Sequence, residues 1–323
     1  MKAAIVIPSN RADSIKTCLS AWEKEFSGHE VIVVEDGPKK TFDLKPSVRH
    51  VSWEEVDTDL GVDGWIIPRR TDAVRNYGFL LAGRSNPDMI VSLDDDCLPA
   101  ELNFLLRHWQ ALEAPARIDQ PFNTVKGIWP DWDTIKARGF PRQVREREAV
   151  LNHGLWNGIP DFDGETQLLW PHLRASFPNE SRVVPRGSLF PMCGMNVAFR
   201  PMLLPAMYFP PMGEGQPYHR FGDIWCGLVA KRVCDSFGWP VRSGAPCVQH
   251  ERASDASRNA ALEKPGIEEN ERLWSVVADA PISHGRIGDA VRDVYAAMDD
   301  GSEYWKSTGQ AIIAWCRLIE AAL

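Results

Sequence analysis

The sequence predicts an α/β protein: a central, mostly parallel sheet flanked by helices, with a helical C-terminal appendage. Three observations predict it. Short β-branched runs alternate with helical patterns through the first hundred residues. The runs are continuous rather than alternating, as strands covered on both faces by crossover helices are. From about residue 262 onward the composition turns helical and charged.

"AAIVIP" (3–8) reads as the first strand, and "RADSIKTCLSAWEKEF" places Ile15, Leu19 and Trp22 on one helical face. "HEVIVVEDG" (29–37) is a second strand closing on an Asp-Gly turn. "TDAVRNYGFLLAGR" (71–84) predicts a helix and "DMIVSLDDD" (88–96) a third buried strand. Strand, helix, strand, helix, strand is the order of a parallel sheet with crossover helices. The Pro-, Gly- and Trp-rich middle, about 120 to 220, reads as ordered aromatic loops and short strands, because its apolar content is too high for disorder. In the tail, "GQAIIAWCRLIEAAL" sets Ile312, Trp315, Cys316, Ile319 and Leu323 along one stripe. That stripe packs on the main domain or on a partner chain, which leaves room for a homo-oligomer. The expected division is a domain over 1–261 and a helical appendage over 262–323.

Composition narrows the function classes. The chain has 323 residues, 44% of them hydrophobic and 25% charged, as ordinary globular proteins do. A formal net charge of −8 argues against general affinity for nucleic acid or anionic membranes. No stretch reaches the roughly 18 apolar residues of a membrane span. The apolar run at the N-terminus is too short for a signal peptide. Seven cysteines, an odd number without paired spacing, read as free thiols in a reducing cytoplasm. Thirteen tryptophans suit cores and stacking platforms alike, so the count decides nothing.

In parallel sheets, ligands bind beyond the carboxyl ends of the strands. "PSNR" (8–11), "EDG" (35–37) and "DDD" (94–96) all fall there, so one edge carries Arg11, Asp36 and the triple aspartate. Closely spaced carboxylates at a strand end can hold Mg²⁺ or Mn²⁺, hard cations that prefer oxygen. Such an ion can bridge a diphosphate and stabilise charge on it as a bond breaks. Three acids in a solvated turn are the plainer reading of the run taken alone. Asp36 either accepts from a base or ribose group or is simply the Asp of its turn. Arg11 either pairs with a phosphate or caps the helix that follows. Further on, Asp223 in "FGDIWCG" precedes a helix, where an N-cap is the ordinary role. His250 in "CVQHE" ends a short strand and is a metal ligand or a hydrogen-bonded surface residue.

Five longer stretches carry a more specific signal: "DDDC" (94–97), "HGLWNGIPDFDGETQL" (153–168), "FPMCGMNVAF" (190–199), "PAMYFPPMGEGQP" (205–217) and "FGDIWCG" (221–227). With "IP" and "EDG" before them and "HERAS" after, they resemble the reversibly glycosylated polypeptides over about residues 3–255. That family includes UDP-arabinopyranose mutases. The resemblance implies a GT-A-like nucleotide-sugar domain requiring Mn²⁺ or Mg²⁺. It implies Asp96 and Asp94 as metal contacts, with His250 as the additional ligand. Arg11, Asp36, Asp94 and Asp95 become candidates for holding the nucleotide, Asp36 at the uridine. The family's glycosylated arginine falls on Arg145 in "GFPRQVRERE", although Arg142 stands where an aromatic is usual and Arg147 is a rival. "RFGD" replaces the plant "RYDD", so Gly222 removes one carboxylate and Asp223 remains.

The implied reaction interconverts pyranose and furanose rings of a UDP-sugar, UDP-L-arabinose being the expected substrate. A metal stabilises departing UDP, the anomeric carbon is held on or near Arg145, and Asp223 shuttles a proton or binds hydroxyls. Arginine is a poor nucleophile in its usual charged state, so an adduct is demanding. The rivals are a metal-dependent glycosyltransferase to a separate acceptor and a non-catalytic, self-glycosylating UDP-sugar-binding subunit.

Overall fold

The computed structural model describes residues 1–117, 138–139, 145–250, 255–283 and 285–323. The first half of the sheet forms as its sequence predicts. β1 (Ala3–Ser9), α1 (Ala12–Phe26) and β2 (Glu30–Glu35) are followed by β3 (Val48–Val51) and α2 (Trp53–Leu60). Next come α3 (Arg75–Arg84), β4 (Met89–Leu93), β5 (Cys97–Pro99), α4 (Phe104–Glu113) and a two-stranded ribbon, β6 (Ala116–Arg117) with β7 (Glu146–Arg147). The middle supplies β8 (Leu151–Gly158), α5 (Gly164–Leu169), β9 (Ser181–Val183) and β10 (Asn196–Phe199). Then follow α6 (Gly222–Phe237), β11 (Val241–His250) and the helices α7 (Ala256–Asp279), α8 (Ile287–Met298) and α9 (Glu303–Ala322).

The nine-stranded sheet runs β3-β2-β1-β4-β10-β8-β11-β5, with β9 also paired to β11. β3, β2, β1 and β4 are mutually parallel, and β10 is antiparallel to both β4 and β8. β8 and β11 are parallel, while β5 and β9 run against β11. Six strands therefore share one direction and β5, β9 and β10 oppose it, a mixed but mostly parallel sheet. The consequence is positional. The carboxyl ends of β1, β2, β4, β8 and β11 meet at one edge, and β10 starts there.

Each face of the sheet has its own core. Along β1 the side chains alternate, Ala4 and Val6 into one and Ala3, Ile5 and Ile7 into the other. The second face is covered by α1 and α4. There Trp22 stacks on Phe26 and donates through Nε1 to the Cys97 carbonyl at 2.8 Å. The first face takes α3, α6, α7, α8 and α9. α3 lies so close to the sheet that a Cβ at Gly78 would stand 2.3 Å from Val6.

The expected boundary at 261/262 falls inside α7, which continues without a break. Leu273, Val294, Trp305 and Trp315 join the same core as Val6 and Phe199. Ile312, Trp315, Cys316 and Ile319 of the predicted stripe are buried, whereas Leu323, past the end of α9, is exposed. The C-terminal helices thus complete a face of the main domain. All seven cysteines are unpaired. Among the described residues no helix is long and apolar enough to cross a membrane.

Candidate functional site

The acidic run forms the turn between β4 and β5. β5 doubles back along β11 with Cys97 opposite His250, which brings His250 beside Asp96. His250 Nε2 lies 3.9 Å from Asp96 Oδ1. Its other nitrogen, Nδ1, donates to the Ile159 carbonyl at 2.7 Å, and a carbonyl can only accept. Nδ1 therefore carries a proton, and Nε2 faces Asp96. A ring nitrogen fixed through a backbone carbonyl with its partner nitrogen beside a carboxylate is the arrangement of a metal-ligating histidine.

Two arginines answer the charge of the three aspartates. Arg11 forks onto both oxygens of Asp95 and reaches Asp96 Oδ2 at 3.1 Å. Ser9 Oγ donates to Asp95 Oδ2 at 2.5 Å. Asp95 is buried and its carboxylate is fully engaged, so it anchors Arg11 and does not face the cavity. Beneath the turn, Arg75 is almost wholly buried. It donates to Asp94 Oδ1 (2.6 Å), Ser92 Oγ (2.6 Å), the Gly194 carbonyl (2.8 Å) and the Asp72 carbonyl (3.0 Å). Three carboxylates against two guanidiniums leave one negative charge. Burial and neighbouring Asp94 hold the Asp96 pKa above the ordinary carboxylate range.

This donor set fits Mg²⁺ or Mn²⁺. Among the described residues no three His, Cys, Asp or Glu side chains are grouped as a complete metal cage. Both ions are ordinarily held by one or two carboxylates plus substrate phosphates and water, so Asp96 and His250, with Asp94 adjacent, supply what is needed.

A cavity of about 820 Å³ opens at this edge, and Arg11, Asp94, Asp96 and His250 line it. Asp161, Cys193 and Asp223 line the same cavity, with Arg258 and Glu263 of α7. Asp223 sits in the first turn of α6 but is not its N-cap, which is Phe221; its Oδ1 accepts from the Ile224 N–H at 2.9 Å. Oδ2 accepts from the Gly194 N–H at 3.0 Å. Burial, with Asp72 and Asp161 nearby, pushes the Asp223 pKa up to about 7. Asp161 accepts from the Cys193 thiol, and burial raises its pKa too. Arg220 faces both carboxylates while donating to Glu263 Oε1 at 2.9 Å. Behind Cys193, His153 Nε2 accepts its N–H at 3.2 Å, and burial lowers the His153 pKa to about 4, so the ring is neutral. A second cavity, about 440 Å³, lies between α1 and the start of β2 and contains none of these groups.

The structure thus gathers Arg11, Asp94, Asp96, Asp223 and His250. It places Asp36 aside, where Oδ1 accepts from Trp53 Nε1 (2.8 Å) and the Arg70 N–H (2.9 Å), off the cavity lining. Arg145 is not brought in. It is exposed just before β7, whose Arg147 donates to the Phe237 carbonyl at the far end of α6. Asp223 begins that helix, and 14 residues at about 1.5 Å each put roughly 20 Å between the two ends. Arg142 and the rest of 140–144, half of the "GFPRQVRERE" stretch, lie outside the described residues. Sequence reading missed Arg75 and Asp161. For Asp161 the signal was present in "GIPDFDG", a polar strand end at the ligand edge. Arg75 sits within a helix that reads as ordinary.

A probable UDP-arabinopyranose mutase 1 of Pisum sativum is 36% identical over 277 residues, 81% of this chain and 73% of the relative. UDP-arabinopyranose mutase 3 of Arabidopsis thaliana is 36% identical over 275 residues, 81% and 74% of the two chains. UDP-arabinopyranose mutase 1 of Oryza sativa subsp. japonica is 31% identical over 334 residues, 96% and 88%. The family model for reversibly glycosylated polypeptides matches residues 2–315, extending through the C-terminal helices that the motifs left uncovered. The chain belongs to the reversibly glycosylated polypeptide family.

Proposed function

We propose that the protein is a UDP-arabinopyranose mutase, interconverting the pyranose and furanose rings of UDP-L-arabinose. The observation that carries this reading is one cavity lined both by the Asp96–His250 pair and by two carboxylates whose pKa burial raises, Asp161 and Asp223. A Mn²⁺ or Mg²⁺ ion held by Asp96, His250 and Asp94 would supply positive charge for the diphosphate as it leaves the sugar. Arg11, pinned by Asp95, holds Asp96 in place. Arg75 fixes Asp94 from below, so the turn is preorganised before substrate arrives. Asp223 exchanges a proton with a sugar hydroxyl near neutral pH. The unpaired thiols fit a reducing compartment, the cytoplasm.

Incubation with UDP-L-arabinopyranose and Mn²⁺, followed by anion-exchange chromatography, tests the assignment. UDP-L-arabinofuranose is expected to accumulate to a constant ratio with the pyranose form. Release of UDP only when a separate acceptor is added overturns the mutase in favour of a transferase.

Arg145 then has the role of a sugar acceptor between molecules, because β7, which follows it, contacts the end of α6 that lies roughly 20 Å from Asp223. Mixing Asp96→Ala with Arg145→Ala protein in the presence of UDP-sugar checks this by intact mass. The Asp96→Ala chain is expected to gain a pentose from its partner copy, and neither variant alone is expected to gain one. Labelling confined to single chains at high dilution would show transfer within one molecule instead.

A further inference from the structure

We propose that Asp161 and Asp223 together form the acid–base pair of the ring interconversion, carrying a proton from the sugar O4 to the ring oxygen O5. The proposal rests on the mutase reading and names how the same cavity performs it.

The geometry comes from two consecutive residues. The Cys193 thiol donates to Asp161, and the Gly194 N–H donates to Asp223 Oδ2 at 3.0 Å. Neighbouring Cα atoms are about 3.8 Å apart, so one short segment tethers both carboxylates to the same cavity, and the Asp161 charge helps to raise the Asp223 pKa. Both line the cavity that Asp96 and His250 also line. The cations near them are already engaged: Arg220 with Glu263, and Arg75 with Asp94. Asp72, Asp94 and His250 are the other ionisable groups that face the pair. Burial raises the pKa of both carboxylates, Asp223 to about 7, so the cavity holds two groups able to exchange protons with a bound sugar.

Ring interconversion needs that pair. In the pyranose O5 is bonded to C1, and in the furanose O4 is. The C1–oxygen bond to the β-phosphate breaks and its electron pair leaves on UDP. A lone pair of O4 closes on C1, and the O4 proton passes to the ionised carboxylate. The C1–O5 bond then breaks, its electrons staying on O5, which takes a proton from the protonated carboxylate. An oxygen of UDP reattaches to C1. One proton is taken and one returned, nothing is oxidised or reduced, and no further reactant is needed. O4 serves as the internal nucleophile, so the arginine adduct becomes unnecessary for the ring change.

The test uses UDP-L-arabinopyranose bearing ¹⁸O in the C1–O–P bridge. Scrambling of label into the non-bridging phosphate oxygens reports C1–O cleavage, and chromatography reports the ring change. Asp161→Asn is expected to bind UDP with Mn²⁺ as the wild type does and to keep scrambling label. Its interconversion is expected to fall by about 10²–10³-fold. Asp161→Ala is expected to recover part of its activity on addition of formate, which replaces the lost carboxylate. Interconversion by Asp161→Asn within about threefold of wild type overturns the pair, as does a parallel loss of UDP binding, scrambling and turnover without formate rescue. A wild-type protein that makes no furanose overturns the mutase reading and this proposal with it. An active wild type with an unimpaired Asp161→Asn overturns this proposal alone.

Discussion

Asp96→Ala is expected to weaken Mn²⁺-dependent binding of UDP by at least about 100-fold, the loss being read by calorimetry at saturating metal. Among the described residues Asp96 is the carboxylate paired with His250 Nε2, at 3.9 Å, with Asp94 adjacent. The effect is separable from unfolding. The Asp96 pKa is raised by burial and by Asp94, so its contribution to stability is present below the ordinary carboxylate range and is lost as pH rises through the raised value. At neutral pH and without metal, the ionised group is a cost to the fold, and Asp96→Ala is expected to melt no lower than wild type. Undiminished binding by a well-folded variant would remove Asp96 from the metal site.

Arg75→Met is expected to destabilise the protein by roughly 3–5 kcal/mol, the usual result of leaving a buried charge without its partner. The guanidinium satisfies Asp94, Ser92 and two backbone carbonyls from a position that water does not reach. Methionine fills part of the volume and none of the hydrogen bonds. For a chain of this size the melting temperature should drop on the order of 10 °C. Adding Asp94→Asn to Arg75→Met should recover part of the loss, because the two side chains form one network. Urea denaturation measures both, and a loss below about 1 kcal/mol for Arg75→Met would refute the anchoring role.

The parts of the fold legible in the sequence are those whose physics is local. β1, β2 and β4 are continuous apolar runs, and the triple aspartate announces the edge where they end. β3 and α2 were not read. β3 is a half-exposed edge strand of four residues, and α2 is one short helix closed by the Ser52–Glu55 capping box. The site divides along the same line. His250 and Asp223 stand at element ends inside specific motifs. Arg75 gains its meaning from Gly194, 119 residues away, and nothing beside it in the chain marks it as buried. Asp161 likewise depends on Cys193, 32 residues on, which lies just before β10, the strand paired with β8. Arg145 shows the reverse: a motif match fixed a position in the chain, but proximity to the reacting sugar is a property of the fold.

α7 has a further consequence. Its Glu263 accepts from the Gly164 N–H at 2.7 Å and from Arg220, so one side chain joins the loop after β8 to the approach to α6. All the sheet strands precede it in the chain. At about 5–20 residues per second, the ribosome takes roughly 4–14 s to travel from His250 to Ala322. During that interval the sheet can pair while its α7–α9 face stays uncovered and the pocket lacks a wall. The nascent protein is therefore sticky before it is able to bind nucleotide, and its need for a chaperone is greatest in those seconds.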